Sequence, residues 1–193
     1  MRCIERFSQP AGDVRKYGIL YACAQKNAGP AGVTIVIIRK DLLPRSGEQL
    51  PGYLNFQIHA EAKSLWNTPP TFPIYIVMLV TKWLITDIGG LANMESLNHT
   101  KAKLLYDVLD QSDGFYKGHS QIACRSMMNV SFRLPSEALT TWFVKGTEDR
   151  GMTDLKGHRS VGGIRASIYN AMPVEGVERL RDYMLEFRNE HAK

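Results

Sequence analysis

Between Ile19 and Ile38 the sequence reads as strand, lysine, turn, strand, and this order constrains the chain more than any other stretch. The apolar run Ile19-Leu20-Tyr21-Ala22 leads to Lys26, which stands between the amides Gln25 and Asn27. Gly29-Pro30-Ala31-Gly32 then supplies a turn, and Val33-Thr34-Ile35-Val36-Ile37-Ile38 is a β-branched second strand. A lysine is ordinarily a surface residue. At a strand end with its flanks fixed, it is instead placed to aim one amine at one electrophile. Lysines that form Schiff bases with carbonyl compounds or pyridoxal phosphate need that restriction. They also need partial desolvation, which lowers the amine pKa and frees the nucleophile.

Composition narrows the class. At 193 residues, 44% hydrophobic and 22% charged, the chain carries enough apolar residues for a core and has the length of one or two domains. Its three cysteines, Cys3, Cys23 and Cys124, are odd in number and lack paired spacing, which fits a reducing compartment rather than a disulfide framework. No clustered Cys/His pattern suggests a metal. The first residues carry charges at Arg2, Glu5 and Arg6 without an apolar core, unlike a secretory signal. The longest apolar run, Ile74 to Val80, is broken by Lys82 and Asp87 before it reaches bilayer length. No membrane association is expected, and the cytoplasm is the expected location. The net charge of +5 raises nucleic acid as a partner, but the basic residues are dispersed among acids, as in Glu175 to Asp182. Without a basic face or a recognition motif, no nucleic-acid binding is expected.

Beyond the two strands the pattern predicts a short strand near Tyr53 to Ile58. Pro69-Pro70 then introduces a long helix from Phe72 to Ile88, stopped by Gly89-Gly90. A second helix, Leu91 to Gln111, presents Leu91, Met94, Leu97, Leu104, Leu105 and Val108 as one apolar stripe. A strand from Met127 to Leu134 alternates Met128, Val130 and Phe132 with more polar neighbours. Ser136 is the expected N-cap of a helix with Leu139, Trp142 and Phe143 inside and Gly151 at its stop. A glycine-rich turn, Gly157 to Gly163, leads into a strand from Ile164 to Tyr169. The last helix, Val174 to Glu190, buries Val177, Leu180, Met184 and Phe187 and pairs Glu175 with Arg179 outside. Alternating helix and strand make the second part a compact α/β domain.

Three segments carry a family resemblance, in order and at the family's spacing. They are Gln25-Lys26-Asn27 with Gly29-Pro30-Ala31-Gly32 and the following strand, Asn67-Thr68-Pro69-Pro70-Thr71-Phe72, and Lys156 to Ala171. From about Asp13 onward the chain resembles the C-terminal half of the phosphoserine aminotransferase family, class V, fold-type I enzymes dependent on pyridoxal phosphate. The resemblance implies an α/β fold in which residues 1–71 are a fragment of the cofactor-binding large domain. Residues 72–193 are then a long connecting helix and the small C-terminal domain. Its family carries an aspartate for the pyridine nitrogen upstream of the lysine. Counting back from Lys26 reaches Arg2, in a segment unlike that strand, so a truncated or aberrant start is expected.

The resemblance also assigns roles. Lys26 forms the Schiff base with pyridoxal phosphate and shuttles the substrate proton. Gln25 contacts the cofactor phosphate, and Asn67 and Thr68 reach across a homodimer interface to the neighbouring cofactor. Read from the residues alone, Asn67 and Thr68 are helix caps ahead of Phe72. Arg165 is the α-carboxylate clamp, for which a guanidinium offers two parallel hydrogen bonds. His158 and Arg159, in a turn that lets main chain and side chains approach an anion together, belong to the substrate-phosphate site. Cys23 stands where the family has glycine. The implied reaction exchanges an amino group between phosphoserine or 3-phosphohydroxypyruvate and 2-oxoglutarate or glutamate, in serine biosynthesis. The alternatives are an inactive aminotransferase fragment and, from another class, a basic interaction module.

Overall fold

A computed structural model describes residues 13–47 and 49–192; the opening segment Met1–Arg6, with Arg2 and Cys3, lies outside the described residues. By its contacts the chain divides into two units, Met1–Ala92 and Asn93–Lys193, so the long helix after Pro70 falls in the first unit.

In the first unit the β-branched run forms a hairpin. Strand β1 (Ile19–Cys23) pairs antiparallel with β2 (Thr34–Ile38), placing Ile19 opposite Ile38, Tyr21 opposite Val36 and Cys23 opposite Thr34. The sulfur of half-buried Cys23 sits 3.4 Å from Thr34 Oγ1 across the hairpin. Asp13 caps a single 3₁₀ turn, Val14–Lys16, and pairs with Arg15 at 2.7 Å. The strand expected near Tyr53 to Ile58 is absent. A 3₁₀ turn, Gly52–Leu54, runs instead into helix α1 (Phe56–Glu61). The cause is Asn55, whose Oδ1 accepts from Gln57 N at 3.0 Å and Ile58 N at 3.2 Å and so starts a helix. Helix α2 (Thr71–Thr86) is apolar apart from Thr71, Thr81, Lys82 and Thr86, and only Leu84 of it is buried. Neither it nor any other single helix among the described residues is long and apolar enough to cross a membrane.

The second unit has its own core. Helix α3 (Leu91–Asp110) buries Met94, Leu105 and Val108 as the stripe requires, whereas Leu91 and Leu97 remain well exposed. The sheet order is β3 (Lys117–Gly118), β4 (Asn129–Arg133), β5 (Ile164–Ser167), all antiparallel. Val130 and Phe132 face Ala166 and Ile164 on the core side, and Ser131 faces Arg165 on the other. Helix α4 (Glu137–Asp149) is capped by Ser136, whose Oγ accepts from Leu139 N at 3.2 Å. It ends as Met152 N donates to Thr147 O beside Gly151 at φ +75°, closing the last turn. Phe143 is fully buried, but Trp142 is 59% exposed on the flank of α4, its ring 6.1 Å from that of His191. Helix α5 (Val174–His191) buries Val177, Leu180, Tyr183, Met184 and Phe187. Arg179 donates to the carbonyl of Arg150 at 2.7 Å rather than pairing with Glu175.

Candidate active site

Lys26 lies in the turn that leaves β1. Its backbone N–H donates to Ala24 O at 2.6 Å, and Gly29 N donates to the same carbonyl at 2.8 Å, so the turn is closed from both sides. The backbone is therefore fixed as the sequence requires. The environment is not the desolvated one expected: Gln25 and Lys26 are exposed, whereas Asn27 is buried. Among the described residues the amine is reachable from solvent.

Asn67 and Thr68 lie in the irregular stretch before α2. They do not cap that helix. Its N-cap is Pro70, without a side-chain cap bond, and Thr71 Oγ1 donates to Pro69 O. Asn67 Nδ2 donates to Thr68 O at 3.2 Å, Asn67 is half-buried, and the Thr68 side chain is exposed. A stiff Pro-Pro pair thus presents an amide and a hydroxyl that the helix does not consume.

The other three candidates gather in the second unit on the connection into β5. Gly157 N donates to Gly163 O at 2.7 Å, and Val161 N and Gly162 N both donate to His158 O, so residues 157–163 close into a tight loop. Arg133, which no motif marks, reaches from the end of β4 to donate to Val161 O at 2.9 Å. His158 Nδ1 accepts from Ser160 N at 3.3 Å and lies 2.7 Å from Ser160 Oγ. In the neutral ring the proton therefore resides on Nε2. His158 and Arg159 are both exposed at this loop, with Lys156 nearby. The site is locally cationic with no carboxylate within the loop sequence.

Arg165 is half-buried, and its Nε is fully buried without a hydrogen-bond partner. Its backbone N–H donates to Leu155 O at 2.8 Å, which tethers the segment before the loop to the edge of β5. Arg165 lines a cleft of about 450 Å³ bounded by residues 151–155, β5 and the start of α5, where Arg179 also lies. A guanidinium with a dry, unpaired N–H is unusual, because buried donors are normally satisfied. It suits a planar anion that would complete the bond.

The class-V aminotransferase family description matches residues 6–180, and the chain belongs to that family. Its relatives are more specific. A phosphoserine aminotransferase of Rhodopirellula baltica is 57% identical over 179 residues, 93% of this chain and 48% of that protein. The solved phosphoserine aminotransferase of Bacillus circulans subsp. alkalophilus is 50% identical with a TM-score of 0.90, over 95% of this chain and 50% of that one. The pyridoxal-phosphate-bound phosphoserine aminotransferase of Trichomonas vaginalis is 40% identical with a TM-score of 0.87, over 95% and 52%. The mixed α/β arrangement is that of fold-type I aminotransferases. The chain spans about half the length of the curated relatives it matches.

Proposed function

We propose that this chain carries the cofactor-lysine and carboxylate-binding parts of a phosphoserine aminotransferase that acts as a homodimer in the cytoplasm. The observation that carries the reading is Arg165, whose buried Nε has no partner and whose side chain lines the cleft beside β5. The residues fit pyridoxal phosphate: an accessible amine on a fixed turn, amides and a hydroxyl for its phosphate, and an unpaired guanidinium for the substrate. Lys26 would hold the cofactor through its amine with Gln25 at its phosphate, and Asn67 and Thr68 would reach the phosphate of the cofactor held by the partner subunit. When bound, that cofactor supplies an electron sink for charge developing at the substrate α-carbon.

The chain's own residues bind and orient. Arg165 takes the α-carboxylate shared by phosphoserine and glutamate through two parallel N–H···O bonds, which fixes the orientation of that carboxylate. His158 and Arg159 hold the substrate phosphate, and the closed loop keeps them together. The amine of Lys26 would act as the base for the proton on the substrate α-carbon. Phosphoserine, 3-phosphohydroxypyruvate, glutamate and 2-oxoglutarate all present the carboxylate this arrangement needs.

The test is glutamate binding to the purified chain and its Arg165→Ala variant. A charged hydrogen-bond pair is worth about 1.5–3 kcal/mol, so affinity is expected to fall roughly 10- to 100-fold, with Arg165→Lys in between. Equal affinity in all three would refute the clamp. The exposed apolar faces of the first unit, including Tyr21, Val36, Ile37 and Phe72, favour a second reading in which the chain binds without turning over by itself. Binding to Lys26 and Arg165 without transamination by the isolated chain is the result that reading expects.

A further inference from the structure

Lys101 is buried at mid-helix in α3, only 1% exposed. Its acceptors are main-chain carbonyls: Nζ donates to Tyr169 O at 2.8 Å and Met172 O at 3.0 Å, with longer contacts of 3.4 Å to Ile168 O and Asn170 O. Burial pulls its pKa down to about 8, which still leaves most of it protonated at neutral pH. An ammonium has three N–H donors and no acceptor. A ring of backbone carbonyls is also the kind of environment that can replace the hydration shell of a monovalent cation. One turn earlier, fully buried Asn98 donates to Asn170 Oδ1 at 2.8 Å. Two polar side chains of one helix therefore bond to the same short segment, 168–172: Lys101 at four of its carbonyls and Asn98 at Asn170.

That segment is the continuation of β5 beyond Arg165 and the entry to α5. Ile168 and Met172, whose carbonyls meet Lys101, also line the cleft with Arg165. A buried charge is an expensive way to fill space, since an apolar side chain of similar volume avoids the desolvation. What an apolar side chain would not do is satisfy carbonyls that turn away from the sheet.

We propose that Lys101 is a positioning residue: its tethered cation, aided by Asn98, holds the 168–172 connection in place and with it one wall of the Arg165 cleft. The functional meaning of that wall rests on the reading of Arg165 as a carboxylate clamp; the latch itself does not.

The test compares amide hydrogen exchange, peptide by peptide, in the full chain and in Lys101→Met, which keeps the stem and removes the cation. Exchange over residues 165–172 is expected to rise about tenfold or more, while α4 and the β4 core amides stay within about twofold. No local rise, or an equal rise everywhere, overturns the latch. Glutamate affinity of Lys101→Met is read alongside and is expected to weaken severalfold. If wild type and Arg165→Ala bind glutamate alike, the clamp reading fails, and the exchange pattern still decides on the latch. Should Lys101→Met not fold, Lys101→Ala is refolded with propylammonium or with tetramethylammonium at equal ionic strength. Recovery with the first alone supports the latch; equal recovery, or none, overturns it.

Discussion

Phe143→Ala is expected to destabilise the second unit by about 3–5 kcal/mol, a large part of the stability of a domain that size. Phe143 is fully buried, and its ring lies 5.0 Å from that of Tyr183, 5.2 Å from Phe187, 5.9 Å from Phe132 and 6.2 Å from Tyr116. From α4 it thus meets rings of α5, the sheet and the loop before β3. Removing it opens a cavity whose walls are held by hydrogen bonds, such as Tyr116 Oη to Met184 O at 2.8 Å, and so collapse poorly. Exchange protection of the β4 amides should fall by roughly two to three orders of magnitude. A loss below about 1 kcal/mol would mean that the aromatic cluster is not the core of this unit.

Gly163→Ala comes next in size and acts through the site. Gly163 has φ +67°, and a methyl group there would lie 2.5 Å from Phe132 O and 3.0 Å from Arg133 Cγ. The left-handed conformation costs an L-residue about 1–2 kcal/mol, and the clash forces β5 off β4 at the Phe132–Ile164 pair for about 1 kcal/mol more. The loop carrying His158 and Arg159 closes through Gly163 O, so anion binding there should weaken with stability. Gly151→Ala is the control, because φ is +75° but nothing lies within reach of the added methyl. If both changes cost the same, the close approach to β4 has no energetic weight.

The second unit was the more legible part in the sequence. Val130 and Phe132 alternate with polar residues, and Val177, Leu180, Met184 and Phe187 recur at helical spacing; all of them are buried. Both periods are set locally, by the pleat and by the helical turn. The misreadings came where one side chain decided the outcome. Asn55 turned an apparent strand into α1 by capping, a signal present in the sequence but outweighed by the apolar residues around it. Trp142, expected inside with Leu139 and Phe143, lies instead on the flank, because Phe143 and Thr147 define the inner line of α4.

Lys101 shows what could have been found. Met94, Asn98, Lys101, Leu105 and Val108 follow one helical face, so a lysine and an asparagine stand on the buried stripe. Their spacing marked them, but the carbonyls that satisfy Lys101 lie in a distant segment, and no local pattern announces them. In the first unit the strands were legible and their burial was not. A near-continuous apolar run such as Thr34 to Ile38 reads as a strand covered on both faces. Among the described residues Val36 and Ile37 nonetheless remain exposed, and Ala22 is the only buried residue of β1. The candidate site residues stand out in the sequence as motifs, whereas the unpaired Nε of Arg165 and the hold of Arg133 on the loop arise from tertiary packing that no local pattern announces.

Titrating the purified chain with pyridoxal phosphate, reducing with borohydride and mapping the pyridoxyl group to a peptide decides the proposed role of Lys26. Stoichiometric labelling confined to Lys26, and lost in Lys26→Ala, is the expected result. Label spread evenly over several lysines, retained in that variant, or missing from Lys26 would overturn the assignment.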